Sequence, residues 1–182
     1  MKSTCLLASA AVSFGSAYAQ TPPVSSMADL APLIGEWRGE ARHFRPRDAS
    51  LEELTETVEG ACRPILDGYY IECATQWVRS DGRERAHNSY VNYNSSAGEF
   101  ENLFIFRGWP VKITYPFKWN IEQNMFVGFH DDETRDGAPM RIRVEFGFSA
   151  DDSEHWAREY SHVEGEAADY WPQTFEMTWK KQ

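Results

Sequence analysis

From Trp37 onward, hydrophobic and polar residues alternate with a period of two. Such alternation marks strands with one face toward an apolar interior and the other toward water. In the clearest run, Val111, Ile113, Tyr115, Phe117 and Trp119 take the odd positions, with Lys112, Thr114, Lys118 and Asn120 between them. Pro116 interrupts the polar series and predicts an edge position or a bulge. Met125, Val127 and Phe129 continue the odd pattern. Over 140–148 the even positions carry Met140, Ile142, Val144, Phe146 and Phe148, against Arg141, Arg143 and Glu145. In the next run Trp156, Arg158, Tyr160 and His162 share a parity that reads as inward, and Phe175, Met177 and Trp179 share one near the C-terminus.

Earlier strands are predicted over 37–44, 54–63, 69–80, 86–93 and 99–107. They are separated by turn signals such as Asp67-Gly68, Ser80-Asp81-Gly82 and Asn94-Ser95-Ser96-Ala97-Gly98. Ahead of them, residues 20–28 read as a flexible leader. A short helical turn follows, with Ser26 as a cap and Met27, Leu30, Leu33 and Ile34 covering apolar surface. No later segment has a helical period. The fold class is all-β: an antiparallel barrel of about eight to ten strands over residues 29–182, closed because closure removes exposed edges. A two-sheet sandwich is the alternative.

The first residues change where this barrel is expected to work. Lys2, the apolar run from Leu6 to Phe14, and Ala17-Tyr18-Ala19 together read as a secretory signal peptide spanning residues 1–19. The apolar run is too short for a membrane anchor, so no integral membrane segment is expected after processing. The expected location is the periplasm or the extracellular medium. The 182 residues carry a formal net charge of −10, and loss of Lys2 makes the chain one unit more negative. That charge weighs against a nucleic-acid binder, which normally needs a basic stripe, and no nucleic-acid partner is expected. Protein partners cannot be named from it.

Export also changes the reading of Cys62 and Cys73. If Asp67-Gly68 is a two-residue turn, Leu66 faces Tyr69, and counting outward sets Cys62 opposite Cys73, where a disulfide is geometrically reasonable. Pro64 conflicts with a regular ladder, and a bulge there would shift the register and leave free thiols. No metal site is expected, because no third and fourth ligand sit at useful spacing.

The segment DLAPLIGEWRGEARHF places a leucine-rich turn ahead of Gly35, Trp37 and Gly39. It resembles the opening of the lipocalin-like barrels called calycins, and in particular the uncharacterised bacterial DUF1579-type proteins. The resemblance spans residues 29–44. It implies that Trp37 closes the barrel base beneath a ligand cavity, with an arginine packed over it, for which Arg158 is a possible counterpart. GEWRGEARHFRP also echoes the first strand of small haem-binding barrels, though Ala41, His43 and the extra residue before Pro46 depart from that pattern. Haem is therefore a minor alternative, and otherwise no cofactor is expected. Each of the five histidines is expected to be exposed or hydrogen-bonded.

A small hydrophobic molecule is the expected partner. The candidate cavity is Trp37, Tyr115, Phe117, Trp119, Phe129, Val144, Phe146, Trp156, Arg158, Tyr160, His162 and Trp179. The same side chains could instead fill a solid core, which would make the protein an envelope interaction module. An enzyme would need an inward polar cluster, for which Arg158 and His162 are the first pair to inspect, and no catalytic residue is assigned. Glu56, Glu59 and Glu72 are expected to face water, and the acidic turn from Asp131 to Asp136 to be a solvated loop.

Overall fold

A computed structural model describes residues 26–47, 53–108 and 112–182. The expected signal peptide, most of the expected leader, and Val111 lie outside the described residues. Ten strands follow one another: β1 (Gly35–His43), β2 (Leu54–Ile65), β3 (Tyr70–Arg79), β4 (Glu84–Asn94), β5 (Glu99–Phe106), β6 (Lys112–Asn120), β7 (Met125–Glu133), β8 (Pro139–Phe148), β9 (Glu154–Val163) and β10 (Gln173–Lys181). Each pairs antiparallel with its neighbour in sequence, and β1 pairs with β10, so the sheet closes into a barrel. The barrel reading holds and the sandwich does not.

Alternating direction gives the barrel two unlike ends. At the base, tight turns join β2 to β3, β4 to β5, β6 to β7 and β8 to β9. The chain also enters there, through a 3-10 turn over Met27–Leu33. Ser26 caps it: its hydroxyl accepts the Ala28 N–H, and its own N–H donates to Asp29 Oδ2 at 2.9 Å. Leu30 and Leu33 are buried beneath the barrel, whereas Ile34 is 36% exposed. The opposite end carries the longer connections, including 134–138 and 164–172.

The β2–β3 hairpin keeps the register counted from its turn. Tyr69 N–H donates to Leu66 O at 3.1 Å, and Asp67 and Gly68 both take positive φ, as the twist of a two-residue hairpin requires. Cys62 therefore lies opposite Cys73, and the two form a disulfide on the inner face. Pro64 pairs with Ile71 without a bulge. Pro116 marks a different irregularity. The β5–β6 ladder runs past it unbroken, but the β6–β7 ladder stops at Phe117↔Gly128. Beyond Pro116, β6 is edge-like within a closed barrel, because proline has no N–H to continue the ladder.

Closure between the first and last strands depends on Gly39, which lies opposite Trp179. A Cβ at this position would overlap the Thr178 carbonyl oxygen and sit 2.7 Å from Trp179 Cδ1. Gly39→Ala is therefore expected to lower stability in urea unfolding by several kcal/mol, on the order of 3. Glu40→Ala, on the outer face next to it, should change stability by less than about 0.5 kcal/mol. Equal, small effects would mean that β1 and β10 are not held this closely.

Candidate functional site

The lower half of the barrel is packed with rings. Trp37 is fully buried above the 3-10 turn, and its indole N–H donates to Leu33 O at 2.7 Å, so the turn and the first strand seal the base together. Trp179 stacks on it at 6.5 Å and His155 meets its edge at 6.4 Å. The cation over Trp37 is Lys181, with Nζ 5.4 Å from the ring, and not Arg158. Phe100, Phe117, Phe126 and Phe146 form a cluster with centroid separations of 4.9–5.7 Å.

Above this floor is a cavity of about 280 Å³. Its apolar wall includes Tyr115, Phe117, Ile142, Val144, Phe146, Phe175, Met177 and Trp179, with the Cys73 side of the disulfide. Its upper part is polar, and it is built from residues on many strands. His43, Thr75, Arg85, His87, Asn102, His130, Asp132 and Glu159 all line it. Glu56 lies behind them, 1% exposed, with its Oε2 2.8 Å from His43 Nε2 and in an ion pair with Arg85. Arg85 also stacks over the Trp77 ring at 4.6 Å. A buried carboxylate needs such partners, because desolvation alone would disfavour its charge.

Burial sets the protonation of several of these groups. It pushes His87 and His155 down to about 4 and lowers His130. Burial also lowers His43, against the opposing pull of Glu56. Glu159 moves the other way, to about 7, because it is enclosed and faces the charge of Asp132, with Arg85 pulling weakly against both. Tyr115 is raised by burial, and its hydroxyl accepts from Asn102 Nδ2 at 3.2 Å. Among the described residues, no three His, Cys, Asp or Glu side chains are grouped to hold a metal ion.

Of the residues proposed from the sequence, Tyr115, Phe117, Val144, Phe146 and Trp179 meet around the cavity. Trp37 lies in the seal below it, and Trp119 packs against Phe126 at 4.9 Å, away from the cavity. Phe129 is a correction: it is 38% exposed on the outer face, under Arg141. The β6–β7 register sets Trp119 opposite Phe126 and Phe117 opposite Gly128, so the inward parity of β7 is even.

Trp156, Arg158, Tyr160 and His162 are a second correction, because all four are on the outer face of β9. The β8–β9 register sets Phe146 opposite Ala157 and Val144 opposite Glu159, so the odd residues of β9 point inward. Trp156 lies against Gly147 and beneath Arg158, Tyr160 beneath Arg143, and His162 against Trp171.

Several polar groups face inward; of the histidines, expected to be exposed or hydrogen-bonded, His43 has a hydrogen bond to Glu56. Glu56 is buried rather than solvated. His43, His87, His130 and His155 line the interior, and Asp132, expected in a solvated loop, lies exposed near the end of β7 where it lines the cavity. His87 and Glu72 lie on opposite faces, with Glu72 held by Arg63. One signal could have found His87: the inward run of Cys73, Thr75 and Trp77 faces Ser89, His87 and Arg85 across the short turn at Ser80-Asp81-Gly82.

No family model matches the chain, and no curated protein matches it. Among solved structures, it is similar to one described as EF1p2_mFAP2b bound to DFHBI. The identity is 11%, over 87% of this chain and 100% of that chain, with a TM-score of 0.46.

The enclosed groups predict an opposed pH response. His87 and His155 bind protons less readily when folded, so the stability they contribute is lost as pH falls from 6.5 toward about 4. Glu159 binds its proton more readily when folded, so its contribution is lost as pH rises from 4.5 to about 7. Two imidazoles outweigh one carboxyl, and unfolding midpoints in urea should fall on acidification across the window they share. Glu159→Gln should raise stability near pH 8 by on the order of 1 to 3 kcal/mol and steepen the acid decline. A variant less stable than the parent near pH 8 would contradict the enclosed placement.

Proposed function

We propose that this protein is an exported carrier or sensor of a small, mainly apolar molecule held inside the barrel. The observation that supports the reading best is the cavity of about 280 Å³ above a floor sealed by Trp37 and the 3-10 turn. A core built only for stability gains from filling such a space, since each missing contact costs packing energy. This chain fills its lower half with rings and leaves the upper half open. The volume is at the small end of ligand sites, and a few polar groups over aromatic walls suit orientation of an apolar guest. The calycin-like opening of the sequence agrees with this arrangement of a sealed base and a ligand above it. Export is supported by the signal-like residues 1–19 and by the disulfide, which suits an oxidising compartment.

The outer face of β7–β9 favours a second reading, an envelope interaction module. Phe129, Trp156, Tyr160 and Trp171 lie there beneath arginines, and aromatic and arginine side chains are enriched where proteins meet.

Native mass spectrometry of the chain expressed through a secretory route separates the two. An excess mass that vanishes on denaturation and is recovered as an extractable apolar compound is expected, with the polypeptide beginning at Gln20. Ala157→Phe places a ring in the cavity and should abolish the excess mass while circular dichroism stays β-like. A bare polypeptide mass, together with no uptake of neutral aromatic probes, would favour the interaction module.

A further inference from the structure

The cavity's polar groups are not balanced. Its one cationic side chain, Arg85, is ion-paired with Glu56 and stacked on Trp77, although its buried Nε, like Trp179 Nε1, has no acceptor. The two carboxyls that line it have no such partner. Asp132, exposed at the mouth, accepts only the N–H of Glu133, and the side chain of Glu159 accepts no hydrogen bond among the described residues. Deeper in, Asn102 is 7% exposed and its Oδ1 is also without a donor. A buried acceptor without a donor is costly, and Asn102 Oδ1, together with the unpaired carboxyls of Glu159 and Asp132 on the same cavity, describes the complement of what should enter it.

We propose that the molecule accepted by this cavity has an apolar aromatic body and a protonated nitrogen, with the nitrogen set against Glu159 and Asp132 and the body on the phenylalanine floor. The proposal rests on the carrier reading and adds the charge of the ligand to it. A cation there completes the pairing that the fold leaves open, and it meets Glu159 in a site where water competes poorly. An anion would meet two carboxyls and an arginine that is already neutralised.

The groups facing Glu159 set the pH dependence. Val144 of β8 and Phe175 of β10 flank it in the sheet and carry no charge. Across the cavity are Asp132 and His130 of β7, Tyr115 of β6, Arg85 and His87 of β4, and His43 of β1 in front of Glu56. Acidification discharges Glu159 first, since its carboxyl is raised to about 7 while burial lowers the imidazoles. Imidazole protonation at lower pH would repel a cation further.

Three probes of similar size and different charge test this by isothermal titration of the purified chain: tryptamine (cation), tryptophol (neutral) and indole-3-acetate (anion). Near pH 8, tryptamine should bind about tenfold or more tightly than tryptophol, with indole-3-acetate weakest. Near pH 5.5 the preference should shrink to about threefold or less. Glu159→Gln and, separately, Asp132→Asn should each weaken tryptamine near pH 8 by about fivefold or more while leaving tryptophol unchanged. Tryptophol binding as tightly as tryptamine, or both variants leaving tryptamine unaffected, overturns the charge inference and leaves the carrier reading standing. Tighter binding of indole-3-acetate overturns it in favour of Arg85 as the recognition group. No binding of any probe at millimolar concentration overturns it together with the cavity reading.

Discussion

A ring of ten strands exists only if the last ladder forms as well as the other nine, and here that ladder joins β1 to β10 where Gly39 faces Trp179. The ring Trp179 brings inward needs the space that a side chain on β1 would occupy, so the close approach and the sealed base are one packing event. Once the ladder closes, inside and outside stop being local choices. Each antiparallel register passes the assignment from a strand to its neighbour, and the sequence of registers must return to β1 with Trp37 still inside.

That constraint explains which expectations held. Turns and strands were legible because glycine, asparagine and aspartate punctuate a period-two pattern, and the cysteine register followed from a turn whose residues permit positive φ. Parity was legible where one face is much more apolar, as in β6 and β8. It failed in β9, where the larger and more aromatic side chains lie on the outer face. Trp156 and Tyr160 outside are covered by Arg158 and Arg143, so a hydrophobicity count takes the outer face for the inner one. The inner face of β9 is His155, Ala157, Glu159 and Ser161, which read in isolation as solvent-facing. In β7 the error lies in carrying the odd pattern across the β6–β7 turn, which the register reverses.

The same effect hid the polar half of the site. Glu56, His43 and Arg85 come from three strands and satisfy one another only once β1 to β4 are in register. No spacing within a single strand records that network. A buried carboxylate with an arginine and an imidazole is stable once assembled and costly in part, so it also favours the one register in which its members meet.

The division of the barrel into a dense base and a polar, open upper part follows from this energetics. The base holds the stacked rings, the capped 3-10 turn and the disulfide, so stability concentrates there. The upper part can then tolerate an interrupted β6–β7 ladder beyond Pro116, an enclosed glutamate without a bonded partner and an unfilled volume. None of these adds to the stability of the fold, and each is of a kind that a bound guest would relieve: apolar walls by contact, an acceptor by a donor. Tolerated defects scattered at random would carry no such meaning. These lie around one cavity, at the end of the barrel opposite its seal.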